Sequence, residues 1–280
     1  MTIVATLTWA VLYGCLRVWF ALGNAPDWKL PGNDLLVPNW IAVAGCAASA
    51  AAVLAVRRHP ASRPLIRTLW ALAAGWVAAA GFALLDLVGG VLPGLGIPFD
   101  LPGMLSRLAA LTGAALLART ALVHQRRLGP GRSLTAIPWW AVAGAGAAVA
   151  GCLIRVGAQA VVGFGSTPYG ANLSMIVFEG GFLLTGIVLP FLLVHRLGRF
   201  FPRWMLLVPG AGLGGGITAY FGVGLLQMIA ATVQGEAVYG DVGLPAAFFW
   251  VAVPAYVVWG AGLAVATYGY YLTRSPAVAE

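Results

Sequence analysis

Four charged side chains fall inside long apolar stretches of this sequence: Arg17, Asp86, Arg155 and Glu179. Charged residues within apolar segments are rare, energetically costly and usually functional. A carboxylic acid in an apolar, water-poor environment can stay protonated near neutral pH and act as a proton donor. Asp86 and Glu179 are therefore the candidate catalytic residues, and the two arginines are candidates for substrate binding.

The composition indicates a membrane protein. Of the 280 residues, 61% are hydrophobic and 9% are charged, whereas soluble domains carry about 25% charged residues. The net charge of +8 would suggest a nucleic-acid partner in a soluble protein. Here the basic residues lie in short hydrophilic gaps and are interpreted as topology signals, so no nucleic acid is expected.

Eight apolar runs are long enough to cross a membrane, which takes roughly 20 residues per helix. They predict an all-α, polytopic membrane helix bundle of about eight transmembrane helices, formed as one domain over residues 1–280. The runs cover about residues 3–23, 38–56, 66–92, 104–123, 136–163, 171–194, 204–232 and 244–272.

The charges of the gaps predict an orientation. Even-numbered gaps are rich in arginine, whereas odd-numbered gaps carry most of the acids and only one lysine. The positive-inside rule then places both termini in the cytoplasm and the chain in the inner membrane. The arginines concerned are Arg57, Arg58, Arg63, Arg67, Arg119, Arg126, Arg127, Arg132, Arg196, Arg199 and Arg203, and the acids are Asp27, Asp34, Asp100, Glu236 and Asp241.

The two halves of the chain contain similar segments. Gly-Cys-Leu-Arg-Val around Arg17 recurs as Gly-Cys-Leu-Ile-Arg-Val around Arg155, and Pro64 and Pro202 share the same offset of 138 residues. Four helices per unit return the chain to the same side of the membrane. The pattern therefore suggests a parallel internal repeat, 1–134 and 135–280.

Helix geometry places the polar residues at one depth. Arg17, Asp86, Arg155 and Gln227 lie about five to nine residues before an outer end, and Glu179 about nine after one, so all five are expected ~8–13 Å below the outer boundary. Helical spacing adds neighbours that would form a polar floor with aromatic and thioether walls. The further substrate-binding candidates are Tyr13, Trp19, Phe82, Gln159 and Met175.

Two other interpretations of the charges stay open. Arg17 and Asp86, and likewise Arg155 and Glu179, could form ion pairs that only fix helix packing, although such pairs are poor stabilisers compared with apolar packing. Arg107, near the outer start of the fourth run, is expected to extend its side chain towards the interface.

No cofactor or metal motif is present. The sequence has no phosphate-binding loop, no dinucleotide-binding glycine pattern, no His- or Cys-rich metal spacing and no Asp-rich diphosphate–magnesium motif. Any chemistry is therefore expected between the helices, without cofactor or metal, on a lipophilic small molecule that enters from the membrane lipid.

Two resemblances add to this interpretation. The segment 16–23, Leu-Arg-Val-Trp-Phe-Ala-Leu-Gly, resembles small actinobacterial four-helix membrane proteins of uncharacterised function, and the segment 199–209 is similar in character. In its small, helical, loop-poor and metal-free build, the chain is also similar to bacterial integral-membrane terpene cyclases that act on prenylated indoles or diketopiperazines.

The second resemblance implies an activity. Asp86 or Glu179 would protonate an alkene or epoxide of a prenylated substrate, and aromatic rings would stabilise the resulting carbocation. At least one acid must then be free of arginine. A small-molecule or proton-coupled transporter, and a non-catalytic membrane protein with structural charges, are the alternatives.

Overall fold

The structure is a computed structural model that describes residues 2–29, 34–91, 98–128, 134–163, 173–236 and 244–274. Its described elements are all helical, which confirms the predicted all-α class. Among the described residues, seven helical stretches are long and apolar enough to cross a membrane, or eight when one bent pair is counted as a single span. These spans match the eight apolar runs.

The helices are numbered in chain order. The α-helices are α1 (Thr2–Trp19), α2 (Asn39–Arg58), α3 (Arg63–Ala79), α4 (Ala83–Val91), α5 (Leu101–Arg126), α6 (Trp139–Val162), α7 (Leu173–Leu183), α8 (Leu189–Val194), α9 (Arg203–Gln234) and α10 (Ala246–Arg274). Two π-helical segments, Phe20–Asn24 and Leu184–Val188, and one 3₁₀-helix, Arg196–Phe200, complete the set.

Prolines mark where several spans begin. Pro38, Pro138 and Pro202 directly precede α2, α6 and α9. Proline fixes φ and has no backbone N–H to donate. It is therefore favoured just before a helix or at its first residue, where an N–H would have no partner within the helix. The hydrophilic gaps therefore end where the sequence places a proline beside an apolar run.

Two spans are interrupted. The third span bends by 48° between α3 and α4, and Asp86 lies on α4 beyond the bend. The sixth span changes from α7 to a π-helical segment and back to α8 at Leu189. Pro190 offers no N–H to the carbonyl four residues earlier, and the Thr185 hydroxyl donates to the carbonyl oxygen of Gly181 at 2.9 Å, which together favour the local irregularity.

The chain divides into two compact units, described here separately: residues 1–86 with 98–131, and residues 87–97 with 132–280. Within each unit the same pairs of spans are in contact. The first span packs on the second and the fourth, the third packs on the second and the fourth, and the second also touches the fourth. The single domain and the repeat boundaries at 134 and 135 stay predictions.

The two units fill their cores differently. In the first unit, Trp9, Tyr13 and Trp76 pack ring against ring at centroid distances of 5.3–5.8 Å. In the second unit, glycines let α6 and α10 approach closely, because a Cβ on Gly262 would lie only 2.7 Å from the backbone nitrogen of Ala148. Small residues at such crossings are typical of helices packed in lipid.

Candidate functional site

In the first unit, Arg107 on α5 binds Asp86 on α4 in a bidentate pair. Its Nε donates to Oδ2 at 2.5 Å and its Nη2 donates to Oδ1 at 2.7 Å. Nη1 donates to the backbone oxygen of Asp34 at 3.1 Å, and Asp100 lies 3.6 Å from Nη2. Both oxygens of Asp86 are therefore occupied by arginine.

Arg17 on α1 forms a second centre in the same unit. Nη1 donates to Asp34 Oδ1 at 3.0 Å and to Asn39 Oδ1 at 2.9 Å, while Nη2 donates to the Tyr13 hydroxyl at 2.9 Å. Its guanidinium also lies 5.1 Å from the Tyr13 ring centroid and 5.7 Å from that of Phe20. Arg17 thus connects α1 with the segment before α2.

These two centres form one connected cluster, because Asp34 binds Arg17 through its carboxylate and Arg107 through its backbone oxygen. Arg17, Arg107 and Asp100 are fully buried, and Asp34 is almost so. Asp100 caps α5 by accepting a hydrogen bond from the Gly103 backbone nitrogen at 3.1 Å, where the positive end of the helix dipole favours a carboxylate. Such a connected arrangement is suited to fixing helix positions.

The structure corrects two expectations for this unit. Arg107 does not extend to the interface: its side chain is fully buried because Asp86 and Asp100 surround it. Arg17 pairs with Asp34 rather than with Asp86. Sequence reasoning missed Asp34 and Asp100 because both lie in hydrophilic gaps, although Asp100 directly before Leu-Pro-Gly carried a recognisable helix-capping signal.

In the second unit, Arg155 on α6 contacts one carboxylate and one phenol. Nη1 donates to Glu179 Oε2 on α7 at 2.5 Å, and Nε donates to the Tyr256 hydroxyl on α10 at 2.7 Å. The guanidinium lies 5.2 Å from the Phe182 ring centroid and 5.6 Å from that of Tyr256. Three spans of this unit therefore meet at Arg155.

Glu179 differs from the acids of the first unit. Its side chain is 20% exposed, so it is the most accessible of the four ion-paired acids. Its Oε1 is nevertheless buried as an atom and has no hydrogen-bond partner among the described residues. Asp34 Oδ2 and Asp100 Oδ2 also lack a hydrogen bond, but they lie 2.8 Å and 3.6 Å from an arginine nitrogen, whereas the arginine contact of Glu179 is made by its other oxygen, Oε2. A buried carboxylate oxygen without a partner is costly, so Oε1 is a candidate acceptor for a ligand.

Aromatic rings surround this acid–arginine pair. Phe182 lies 5.8 Å from Tyr256 and 5.0 Å from Trp259 between ring centroids, and Phe221 stacks on Tyr256 at 3.8 Å. Trp259 is fully buried, and its Nε1 also has no hydrogen-bond partner in the described part of the chain. The second unit therefore contains an unused acceptor on Glu179 and an unused donor on Trp259, whose ring contacts Phe182.

The other predicted residues are distributed unevenly. Tyr13 binds Arg17 as described, and Gln159 is buried and donates to the Gly163 carbonyl oxygen at 3.1 Å. Trp19 is 56% exposed because it lies two positions from Arg17 and so points to another side of the helix. Phe20, three positions from Arg17, lies on the same face of the helix as the guanidinium.

The remaining predicted residues are Gln227, Phe82 and Met175. Gln227 is exposed on α9, next to the buried Met228. Phe82 is half-buried at the bend before α4. The side chain of Met175 lies outside the described residues. The common depth of Arg17, Asp86, Arg155, Glu179 and Gln227 involves both units and stays a prediction.

The described residues contain no group of three or more His, Cys, Asp or Glu side chains placed to hold a metal ion. Fold and site together define a class, the helix bundles with membrane-span hydropathy that bury arginine–carboxylate clusters. Comparisons with protein-family models, curated proteins and solved structures found no match to this chain. Function must therefore be argued from the two clusters.

Proposed function

We propose that the protein binds a lipophilic small molecule at the Arg155–Glu179 site of the second unit. The observation that carries this proposal is the partnerless, buried Oε1 of Glu179, whose arginine partner lies against the rings of Phe182 and Tyr256. Ionisable groups at such positions in membrane proteins commonly mark substrate sites. A ligand with an apolar body and one hydrogen-bond donor would satisfy the acceptor and contact the half-buried ring of Phe182.

The first-unit cluster receives a different role in this proposal. Both oxygens of Asp86 bind Arg107, which leaves no free carboxylate oxygen for a ligand. Asp86 is therefore proposed to fix α4 against α5, and Glu179 is the only one of the two predicted catalytic acids retained as a functional group.

Co-purification tests the binding proposal. Organic extracts of the purified wild-type protein, Glu179→Gln and Glu236→Gln would be compared by mass spectrometry. Glu236 is an exposed acid of the same unit, so its variant matches the change in charge. We expect a lipophilic compound to co-purify with wild type and with Glu236→Gln. Its amount should be lower by about tenfold or more in Glu179→Gln, because losing ~1.4 kcal/mol of binding free energy at Glu179 weakens affinity tenfold. Equal profiles in all three proteins would overturn the proposal.

A second candidate function is metal-free cyclisation of a prenylated substrate, and the rings of Phe182, Tyr256 and Trp259 favour it. Glu179 would protonate an alkene carbon, the aromatic faces would stabilise the carbocation, and loss of a proton would give an isomer of the substrate. This mechanism required one acid free of arginine, and neither predicted acid meets that requirement, because Asp86 pairs with Arg107 and Glu179 with Arg155. With Glu179 as the donor, the proton would have to lie on Oε1, which has no hydrogen-bond partner among the described residues.

Incubation with a prenylated indole such as 3-farnesylindole tests the reaction. Cyclisation predicts a product of unchanged mass and shifted retention, formed by wild type and Glu236→Gln but not by Glu179→Gln. Binding without conversion would reject the cyclase and keep the binding proposal. Movement of the compound across proteoliposome membranes without conversion would identify a transporter instead.

A further inference from the structure

The short 3₁₀-helix Arg196–Phe200 presents three distinct faces. Residues three apart are aligned in a 3₁₀-helix, so Arg196 and Arg199 share one face, and Leu197 and Phe200 share another. Gly198 forms the third face and is buried. The segment is therefore amphipathic over only five residues.

The glycine face fixes this helix to the second unit. A Cβ on Gly198 would overlap the carbonyl oxygen of Leu192, and the Gly198 carbonyl accepts a hydrogen bond from the Tyr270 hydroxyl at 3.3 Å. Close packing against α8 and α10 thus determines which two faces remain outside.

The two outer faces differ in chemistry. Arg196 and Arg199 are exposed, and within the described residues neither guanidinium forms an ion pair with a carboxylate. Phe200 is 83% exposed, and Leu197 is exposed beside it. Trp204, at the start of α9, adds a further exposed aromatic side chain.

The neighbouring described residues add positive charge. The sequence contains no acid between Glu179 and Glu236, and the described part of α10 contains none. Arg203 donates from Nη2 to the Tyr271 carbonyl oxygen at 3.5 Å, and its Nε is buried without a hydrogen-bond partner in the part of the chain that the structure describes. A phosphate bound here would therefore meet a cluster of arginines.

We propose that the 3₁₀-helix is an anionic-lipid site, in which Arg196 and Arg199 bind the headgroup phosphate while Leu197 and Phe200 enter the acyl region. Arginine suits phosphate because its guanidinium forms bidentate hydrogen bonds. Basic clusters next to membrane spans attract anionic lipids, and the adjacent apolar face favours a lipid over free phosphate. This site is independent of the function proposed for Glu179.

Native mass spectrometry of the purified protein with phosphatidylglycerol or phosphatidylcholine tests the proposal. We expect wild type to retain more phosphatidylglycerol than phosphatidylcholine. In Arg196→Gln/Arg199→Gln, the amount of bound phosphatidylglycerol should fall at least threefold. The control Arg57→Gln/Arg58→Gln removes the same amount of charge at two exposed arginines at the end of α2. This control should retain most of the phosphatidylglycerol bound by wild type.

Three results would overturn the lipid site. They are equal retention of the two lipids by wild type, equal loss in both double variants, and unchanged retention in Phe200→Ser. The variant Arg196→Lys/Arg199→Lys keeps both charges and should retain most of the lipid binding. That result would show that the loss in the glutamine variant comes from the missing charges and not from misfolding.

Discussion

Arg17 and Arg155 hold equivalent places in the two units: each lies on the first span, donates one hydrogen bond to a tyrosine hydroxyl and pairs with a carboxylate. Their surroundings then diverge. Arg17 reaches an acid in the segment that leads to α2, within a buried cluster of two arginines and three acids. Arg155 reaches an acid on the next span, where one carboxylate oxygen has no contact with arginine. We propose that the first arrangement serves packing and that the second binds a ligand.

Asp86→Asn is expected to destabilise the protein. Breaking a buried ion pair by removing one partner costs about 3–5 kcal/mol, and the loss should lie towards the lower end here because Asp100 remains 3.6 Å from Arg107. Thermal unfolding in detergent should show a clear drop in Tm, whereas Asp27→Asn at an exposed position should leave Tm unchanged. An unaltered Tm for Asp86→Asn would contradict a packing role.

Tyr256→Phe is expected to weaken the second-unit site by removing the acceptor for Arg155 Nε. A buried donor left without a partner costs about 1–3 kcal/mol. Tyr268→Phe on the same helix is the control because Tyr268 is 55% exposed. Chemical denaturation of both variants measures the difference, and equal stability would argue against the Arg155–Tyr256 bond.

Gly262→Ala is expected to separate α6 from α10, since the added Cβ would meet Ala148 backbone atoms that cannot move independently. Overpacking of this kind costs about 1–3 kcal/mol. Gly157→Ala on α6 has open space around the added Cβ, and the better helix propensity of alanine should make it neutral or stabilising by up to ~1 kcal/mol. A similar Tm change in both variants would disprove the close crossing.

The predicted orientation can be tested with single cysteines in a Cys15→Ala background. Asp27→Cys and Ala61→Cys replace exposed residues on opposite sides of the second span. If the arginine-rich gaps face the cytoplasm, a membrane-impermeant maleimide added to intact cells should label position 27 and spare position 61. The reverse pattern would invert the topology.

Hydropathy predicted the spans well because the length of an apolar run fixes whether a helix can cross a membrane. The partners of the charges were harder to predict. Asp34 lies in a hydrophilic gap, and nothing in its local sequence indicates that it folds back to Arg17 and Arg107. Of the two ion pairs left open as an alternative, the structure contains Arg155–Glu179 but not Arg17–Asp86. Arg155 and Glu179 lie on successive spans, so their pairing needs no long-range information.

The interruption of the sixth span also escaped prediction. The apolar run continues through Leu184–Val188 without a break in hydropathy, and a π-helical segment depends on which backbone hydrogen bonds Pro190 and Thr185 remove or redirect. These are local geometric effects that a count of apolar residues does not contain.

That interruption has a consequence for motion. In the described part of the second unit, α7 meets α6 and α10 through side chains such as Glu179 and Phe182, while α6 and α10 pack backbone to backbone through glycines. The free energy of local opening should therefore be lower for α7 than for α6. Its amide hydrogens should exchange faster, and the segment that carries the carboxylate can swing from the bundle while the α6–α10 pair stays folded.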